Sequence, residues 1–293
     1  MENNIRKKSI LFFGYGYTAK KLTLLMENKN WKFYASTRNK TPETLDGKVQ
    51  FMNFERDKAT LEKLILSCDA ILISVPPMGN VDPVLENFGP VFQRCLKAKW
   101  IGYLSATSVY GDFKGNWVNE ATKPLPTTSR GISRLMIEER WRNLGLSKNL
   151  PIFRFRISGI YGPGRSPFLR IMRNEKKVIQ KANHVFNRVH IDDLCEILYQ
   201  TITVPVEGRL FNISDNEPST SEDFLDKAAD LISHPKLKRV PFESAEISDM
   251  AASFYAESKK VSNKKIVEQL DYKFKFPTFI EGLENILKNE NLN

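Results

Sequence analysis

The first half of the chain alternates strand-like apolar segments with stretches whose apolar residues recur at helical spacing. Ser9–Phe13 reads as a buried strand, followed by strands at Lys32–Thr37, Val49–Phe54, Ala70–Val75, Trp100–Ser105 and Ile152–Ile157. Between them the pattern predicts helices. The first is Thr18–Glu27, with Leu22, Leu25 and Met26 on one face. Others fall around Thr60–Ser67, over Asn87–Lys97, and near Ser129–Leu144, where Ile132, Leu135 and Met136 mark the face. Such alternation argues for a parallel sheet with crossover helices. Pro76-Pro77 stops the fourth strand. After Tyr161 the pattern becomes irregular, with loop signals at Gly162-Pro163-Gly164 and Ser166-Pro167. A strand over Val185–Ile191, a helix over Asp193–Thr201 and a short strand over Leu210–Ser214 follow. Residues 215–293 mix helix and loop, with Ser221–Ile232 the clearest helix. The expected layout is α/β: a doubly wound parallel sheet over residues 1–162, with 185–214 contributing back to it. Residues 163–184 and 215–293 form a smaller, partly interleaved C-terminal lobe. No internal repeat and no low-complexity segment interrupts it.

Composition narrows the class without changing this layout. At 293 residues the chain is one large or two modest domains. With 41% hydrophobic and 27% charged residues, disordered, collagenous and coiled-coil chains are excluded. The longest apolar stretches, such as Ala70–Pro77, are far short of the roughly 20 residues a bilayer requires. The opening Met1-Glu2-Asn3-Asn4-Ile5-Arg6-Lys7-Lys8 enters a strand with no secretory apolar region. Cys68, Cys95 and Cys195 are far apart and odd in number, so neither a disulfide framework nor a metal site is expected. A cytoplasmic location fits best. The net charge of +10 comes from scattered pairs: Lys7-Lys8, Lys20-Lys21, Lys176-Lys177, Lys259-Lys260 and Lys264-Lys265. No basic run reaches five, so nucleic acid and membrane are not expected partners. The excess charge would steer a phosphorylated ligand.

The strongest chemistry lies at Gly14-Tyr15-Gly16-Tyr17-Thr18-Ala19, a G-x-G-x-x-A directly after a strand and opening a helix. Gly14 permits the tight turn, Gly16 lets the backbone approach a pyrophosphate, and Ala19 lets the helix pack close. The pyrophosphate would sit on the helix N-terminus with Tyr17 and Thr18. The fold class is therefore a Rossmann-type doubly wound sheet. An NAD-preferring site places an acid about 20 residues on. Here the second strand ends Ala35-Ser36-Thr37-Arg38, with no acid. Arg38 could pair with a 2′-phosphate, each charge-assisted bond contributing roughly 1.5–3 kcal/mol. The cofactor expected is NADP(H) rather than NAD(H).

With these residues in view, the chain resembles the extended short-chain dehydrogenase/reductases, the NAD(P)-dependent epimerase/dehydratase superfamily that includes the nucleotide-sugar enzymes. Ser105-Ala106-Thr107-Ser108-Val109-Tyr110-Gly111 is similar to its S-S-x-x-V-Y-G segment. Arg156-Ile157-Ser158-Gly159-Ile160-Tyr161-Gly162-Pro163 is similar to R-x-x-N-x-Y-G-P, and Val189-His190-Ile191-Asp192-Asp193-Leu194 to V-H-V-x-D-L. The resemblance covers nearly the whole chain. It implies an N-terminal cofactor lobe, a C-terminal substrate lobe, and Ser74, Val75 and Pro76 lining the nicotinamide ribose.

The departures from the family are equally specific. The family's Ser position holds Ala106, and its Tyr-x-x-x-Lys falls on Arg130 and Arg134, with Thr107 adjacent to the lost hydroxyl. Tyr17/Lys21, Tyr110/Lys114 and Tyr255/Lys259 repeat the spacing, yet none is a convincing substitute. Arg134 could face the cleft with Arg130 or pair with Glu138. On the substrate side, Tyr110, Arg165, Arg188 and His190 are the candidates. Arg165 is open to solvent or to an anionic substrate. Arg188 lies two residues before His190, where nucleotide-sugar enzymes carry their Arg four before. Asp192 reads as an N-cap or as a substrate-cleft residue, Cys195 as a core residue, and Trp117 as a packing anchor or a stacking platform. Three readings follow. One is an NADP(H)-dependent oxidoreductase or epimerase on a small polar or anionic substrate, with a non-standard active site. Another is a dinucleotide-binding sensor or scaffold without turnover. The third is an ordinary epimerase whose motif aligns differently. A homodimer is left open.

Overall fold

In a computed structural model, residues 6–38, 47–172 and 177–290 are described; Met1–Ile5 and Lys176 from the sequence patterns lie outside them. The first half runs β1 (Lys8–Phe13), α1 (Tyr17–Met26), β2 (Trp31–Thr37), β3 (Val49–Asn53), α2 (Lys58–Ser67), β4 (Ala70–Ile73), α3 (Pro83–Phe92) and β5 (Trp100–Ala106). Then come β6 (Trp117–Val118), α4 (Ser129–Lys148), β7 (Ile152–Ile157), β8 (Gly159–Tyr161), α5 (Pro167–Met172), β9 (Lys177–Gln180) and β10 (Arg188–His190). The chain ends with α6 (Ile191–Thr203), β11 (Leu210–Ile213), α7 (Ser221–Leu231), β12 (Lys238–Pro241), α8 (Asp249–Tyr255), β13 (Lys260–Val261), α9 (Lys264–Leu270) and α10 (Phe279–Glu290).

Seven strands form one sheet in the order β11-β7-β5-β4-β1-β2-β3. The β1, β2, β3, β4 and β5 pairings are parallel. Ile10–Phe13 and Ala70–Ile73 are fully buried, as expected for parallel strands covered on both faces. Leu11, Phe13, Ile71 and Ile73 share one cluster with Leu61 of α2, Phe88 of α3 and Trp141 of α4. On the other face, Cys195 Sγ of α6 lies 3.6 Å from the Thr18 carbonyl of α1, and Trp100 Nε1 donates to Thr201 Oγ1. From β1 the chain winds outward to β3, then crosses back to β4 on β1's other side. Phe13 aligns with Ser36 and with Ile73, so β1, β2 and β4 end level with one another. That reversal between β1 and β4 is where ligands bind in sheets of this kind.

Several elements depart from the sequence pattern. α3 starts at Pro83, four residues before Asn87. Asp82 accepts from the N–H groups of Val84 and Leu85, with Pro83 in the first helical position. β4 stops at Ile73 because Ser74 turns back onto β1. β10 is confined to Arg188–His190, since Phe186 instead bridges antiparallel to Ser219.

Two compact units divide the chain: 1–105, 133–155 and 195–210 in one, 106–132, 156–194 and 211–293 in the other. The second unit has its own core, including Tyr161, Phe168, Leu225, Phe279 and Leu283. It also holds the two-stranded parallel pairs β8/β10, β9/β12 and β6/β13. Cys68, Cys95 and Cys195 are buried thiols. Among the described residues no helix is long and apolar enough to cross a membrane, and no His, Cys, Asp and Glu cluster could hold a metal.

Candidate functional site

The first unit carries the turn between β1 and α1. Gly14 sits at φ +86°, and a β-carbon there would come within 3.1 Å of Ser74 Oγ and Val75 Cγ2. Ser74 Oγ in turn donates to the Gly14 carbonyl at 3.1 Å. The turn is thus locked against the end of β4 by a residue without a side chain. Gly16 precedes α1 in an extended conformation, and no atom lies within 4 Å of where its β-carbon would be. α1 has neither a side-chain cap nor an acid in its first turn. Its first amides have no intrahelical acceptor and carry the positive end of the helix dipole. Ala19 is fully buried, which lets α1 lie close to the sheet. Open space at the Gly16 β-carbon position and an uncapped helix terminus behind it are what a bound anion requires.

Thr37 ends β2, and exposed Arg38 follows it. Arg38 Nη1 lies 3.5 Å from Met78 Sδ, in the loop after β4. Among the described residues no carboxylate pairs with Arg38. Val75 and Pro76 continue from Ser74 at the end of β4.

At the end of β5, the first unit holds Tyr103, Ser105, Ser133 and Arg134. Arg134 Nη1 donates to the Leu104 carbonyl at 3.2 Å and lies 3.5 Å from Tyr103 Oη. Burial pushes the Tyr103 phenol up to about 12, against the lowering pull of Arg134. Arg134 does not pair with Glu138. That buried carboxylate accepts from Ser105 Oγ at 2.7 Å and faces Arg154. Ser133 Oγ donates to the Gly79 carbonyl.

In the second unit, the chain leaves β5 at Ala106 and makes a short 3₁₀ turn over Thr107–Tyr110. Thr107 is half-buried. Tyr110 is wholly buried; its hydroxyl donates to Asn212 Oδ1 at 2.8 Å and the Arg156 guanidinium lies 4.7 Å from its ring. Burial raises its pKa as well. Arg130 stacks 5.1 Å above Phe254, which is half-exposed.

The remaining substrate candidates are spread through the second unit. Arg188 is buried. It donates to Ser219 Oγ at 2.5 Å and to the Thr220 carbonyl at 3.1 Å, and lies over Phe224. Burial lowers its pKa to about 10. His190 is fully buried between Tyr161 and Phe276, and its Nδ1 accepts from the Asp192 N–H at 3.2 Å. Asp192 is therefore not the N-cap expected of it: α6 begins at Ile191, and the His190 ring bonds the early N–H. Its neighbour Asp193 accepts from Tyr272 Oη and from the Lys275 and Phe276 amides. Arg165 is exposed in its loop. Trp117 is 57% exposed and is not the packing anchor expected of it; Val118 beside it is the buried residue. Asp215 is buried, and burial raises its pKa to about 8.

No protein-family model and no curated protein matches the chain. Among solved structures, a conserved protein of unknown function from Silicibacter pomeroyi DSS is 34% identical. The match covers 97% of this chain and 99% of that one, at a TM-score of 0.89. The chain belongs to that protein's family. The dTDP-glucose 4,6-dehydratase of Bacillus anthracis, in complex with NAD, is 18% identical over 97% of this chain and 98% of its own, at a TM-score of 0.76. The UDP-glucuronic acid 4-epimerase of Bacillus cereus, also in complex with NAD, is 18% identical over 97% and 99%, at 0.73. The fold is that of this dehydratase and this epimerase.

The sequence resemblance sets Ala106, Arg130 and Arg134 against a Ser-Tyr-Lys set, and none of the three carries a hydroxyl. Neither Tyr103 nor Tyr110 offers a phenol able to ionise near neutral pH. What the motifs did not single out is the segment from Phe254 to Lys259. Its one sequence signal is the Tyr255-x-x-x-Lys259 spacing, yet Tyr255 ends α8 and Lys259 is buried in an ion pair with Glu257.

Proposed function

We propose that the β1–α1 turn holds a nicotinamide dinucleotide, with NADP(H) preferred over NAD(H). The protein is then an oxidoreductase or epimerase acting on a small anionic substrate, a sugar nucleotide among the candidates. The observation that carries this reading is the uncapped α1 terminus facing open space at Gly16, beside a Gly14 turn locked by Ser74. The two sugar-nucleotide enzymes described with NAD support the cofactor class. Gly14, Gly16 and the amides of Tyr17, Thr18 and Ala19 would take the pyrophosphate. Thr37 and Arg38 would take the adenosine ribose with its 2′-phosphate, and Ser74, Val75 and Pro76 the nicotinamide ribose. Such a cofactor supplies hydride exchange at a substrate carbon.

The chain's own residues orient more than they titrate. Ala106 has no hydroxyl to hold a substrate oxygen. The fork of donors on Arg130 suits holding a carboxylate or phosphate rather than the proton shuttling of a tyrosine. Arg134 is a fixed charge against the end of β5. The proton for any reduction therefore comes from water or from the substrate itself. The same three replacements favour a second reading, a dinucleotide-binding sensor without turnover. Calorimetry with NADPH and NADH tests the shared part: NADPH should bind more tightly, and tighter NADH binding would sink the preference. NADPH consumption with ketones or sugar nucleotides then separates the readings, turnover favouring the enzyme.

A further inference from the structure

Glu257, Ser258 and Lys259 are all buried; they bond to Asn183, Val185 and Asn187 and to the segment after the Thr107–Tyr110 turn. Lys259 Nζ donates to the Gly111 carbonyl at 2.6 Å and to Glu257 Oε2 at 3.0 Å. Glu257 Oε1 accepts from the Thr127 amide and hydroxyl, at 3.4 and 3.3 Å. Between these ends, Asp112 Oδ1 accepts from the Ser258 N–H, and the Ser258 carbonyl accepts from the Phe113 and Gly115 amides. β13 continues the contact by pairing with β6. Phe254, three residues before Glu257, lies under Arg130.

A buried ion pair adds little net stability over apolar residues of equal volume, because both charges leave water. What it does determine is where its hydrogen-bond partners sit. Here those partners are Gly111 and Thr127, the two ends of one segment that leads into Arg130. Stacking engages the face of a guanidinium, whereas a carboxylate or phosphate is held by the donors in its plane.

We propose that Phe254, Glu257 and Lys259 are positioning residues: the ion pair pins residues 111–127 at both ends, and Phe254 orients Arg130 toward an anionic substrate group. This rests on Arg130 as the anion-binding residue of the function proposed above.

The test uses the full chain, with hydrogen exchange of residues 107–127 and calorimetry with UDP-glucuronic acid and NADPH. In Glu257→Gln with Lys259→Met, exchange in that segment should quicken about tenfold, the size of one lost charge-assisted bond. NADPH affinity should stay unchanged. Thr127→Val removes only the hydroxyl contact and replaces the double variant if that does not fold; exchange near residue 127 should then quicken. Phe254→Ala should weaken UDP-glucuronic acid binding about threefold, the size of an exposed cation–π contact, and Phe254→Trp should restore it. Unchanged exchange in the pair variants would overturn the pinning, and unchanged affinity in Phe254→Ala would overturn its orienting role. If the wild type binds no UDP-glucuronic acid, the sugar-nucleotide reading and the role of Phe254 fall together. The exchange comparison still decides the role of the ion pair.

Discussion

A β-carbon at Gly16 has no neighbour within 4 Å, so the protein itself tolerates a side chain there. A bound pyrophosphate would not. Gly16→Val should leave stability within about 1 kcal/mol, since only the N-cap residue changes. NADPH binding should fall by well over tenfold, more than about 1.4 kcal/mol. Equal affinity in calorimetry would place the dinucleotide elsewhere. Arg38 poses the complementary question. It leans on Met78 and pairs with no carboxylate among the described residues. Arg38→Ala should weaken NADPH by about tenfold or more, the size of one charge-assisted bond, and leave NADH nearly unchanged. Parallel loss of both would mean that Arg38 does not read the 2′-phosphate. The placement of both residues, at a strand-to-helix turn and at a strand end, was legible in the sequence, because such positions depend only on neighbours a few residues away.

At the scale of elements, legibility follows the range of the interactions that set each boundary. Ala70–Ile73 and Ile152–Ile157 stand out because strands buried in a parallel sheet need unbroken apolar runs. β6 and β13 do not, being two residues each and paired across some 140 positions. The Glu257–Lys259 contacts with Gly111 and Thr127 are hidden for the same reason. His190 illustrates a subtler failure: its ring nitrogen accepts from the Asp192 N–H and takes the capping role that the pattern assigned to Asp192. Asp82 marks the opposite case, a local signal that the helical spacing overrode. It accepts from Val84 and Leu85 and also from Trp141 Nε1 at 2.8 Å, while buried. Asp82→Ala leaves three donors unsatisfied in the interior and should cost about 3 kcal/mol. Urea unfolding should show a lower midpoint with an unchanged slope. A loss below about 1 kcal/mol would show that α3 does not depend on this cap.

For the whole molecule, the doubly wound sheet was readable from alternation alone. The thermodynamics of the second unit was not, because it depends on burial. Asp215 and His184 lie in that unit, and burial moves them in opposite senses. The Asp215 carboxyl is raised from 3.8 to about 8, chiefly by burial, with the Arg188 charge pulling the other way. The His184 imidazole is lowered from 6.5 to about 4, by burial and then by Lys181. A raised carboxyl stabilises the folded state fully below its unfolded value, and that stabilisation is lost as pH rises through 8. A lowered imidazole stabilises it fully above 6.5, and that is lost as pH falls toward 4. Between pH 4 and 6.5 the native state holds one extra proton at Asp215 and refuses one at His184, so the two slopes cancel. Between pH 6.5 and 8 only Asp215 acts, and stability should fall by about 2 kcal/mol as pH rises. Asp215→Asn keeps an oxygen to accept from the Glu217 N–H, which Asp215 Oδ1 does at 3.2 Å, but cannot ionise. Its stability should be level from pH 6.5 to 8 and should climb with pH from 4 to 6.5, where His184 is no longer balanced. Urea unfolding at pH 5, 6.5 and 8 measures all three points. A wild-type fall from pH 6.5 to 8 that persists in Asp215→Asn would assign the proton to another group.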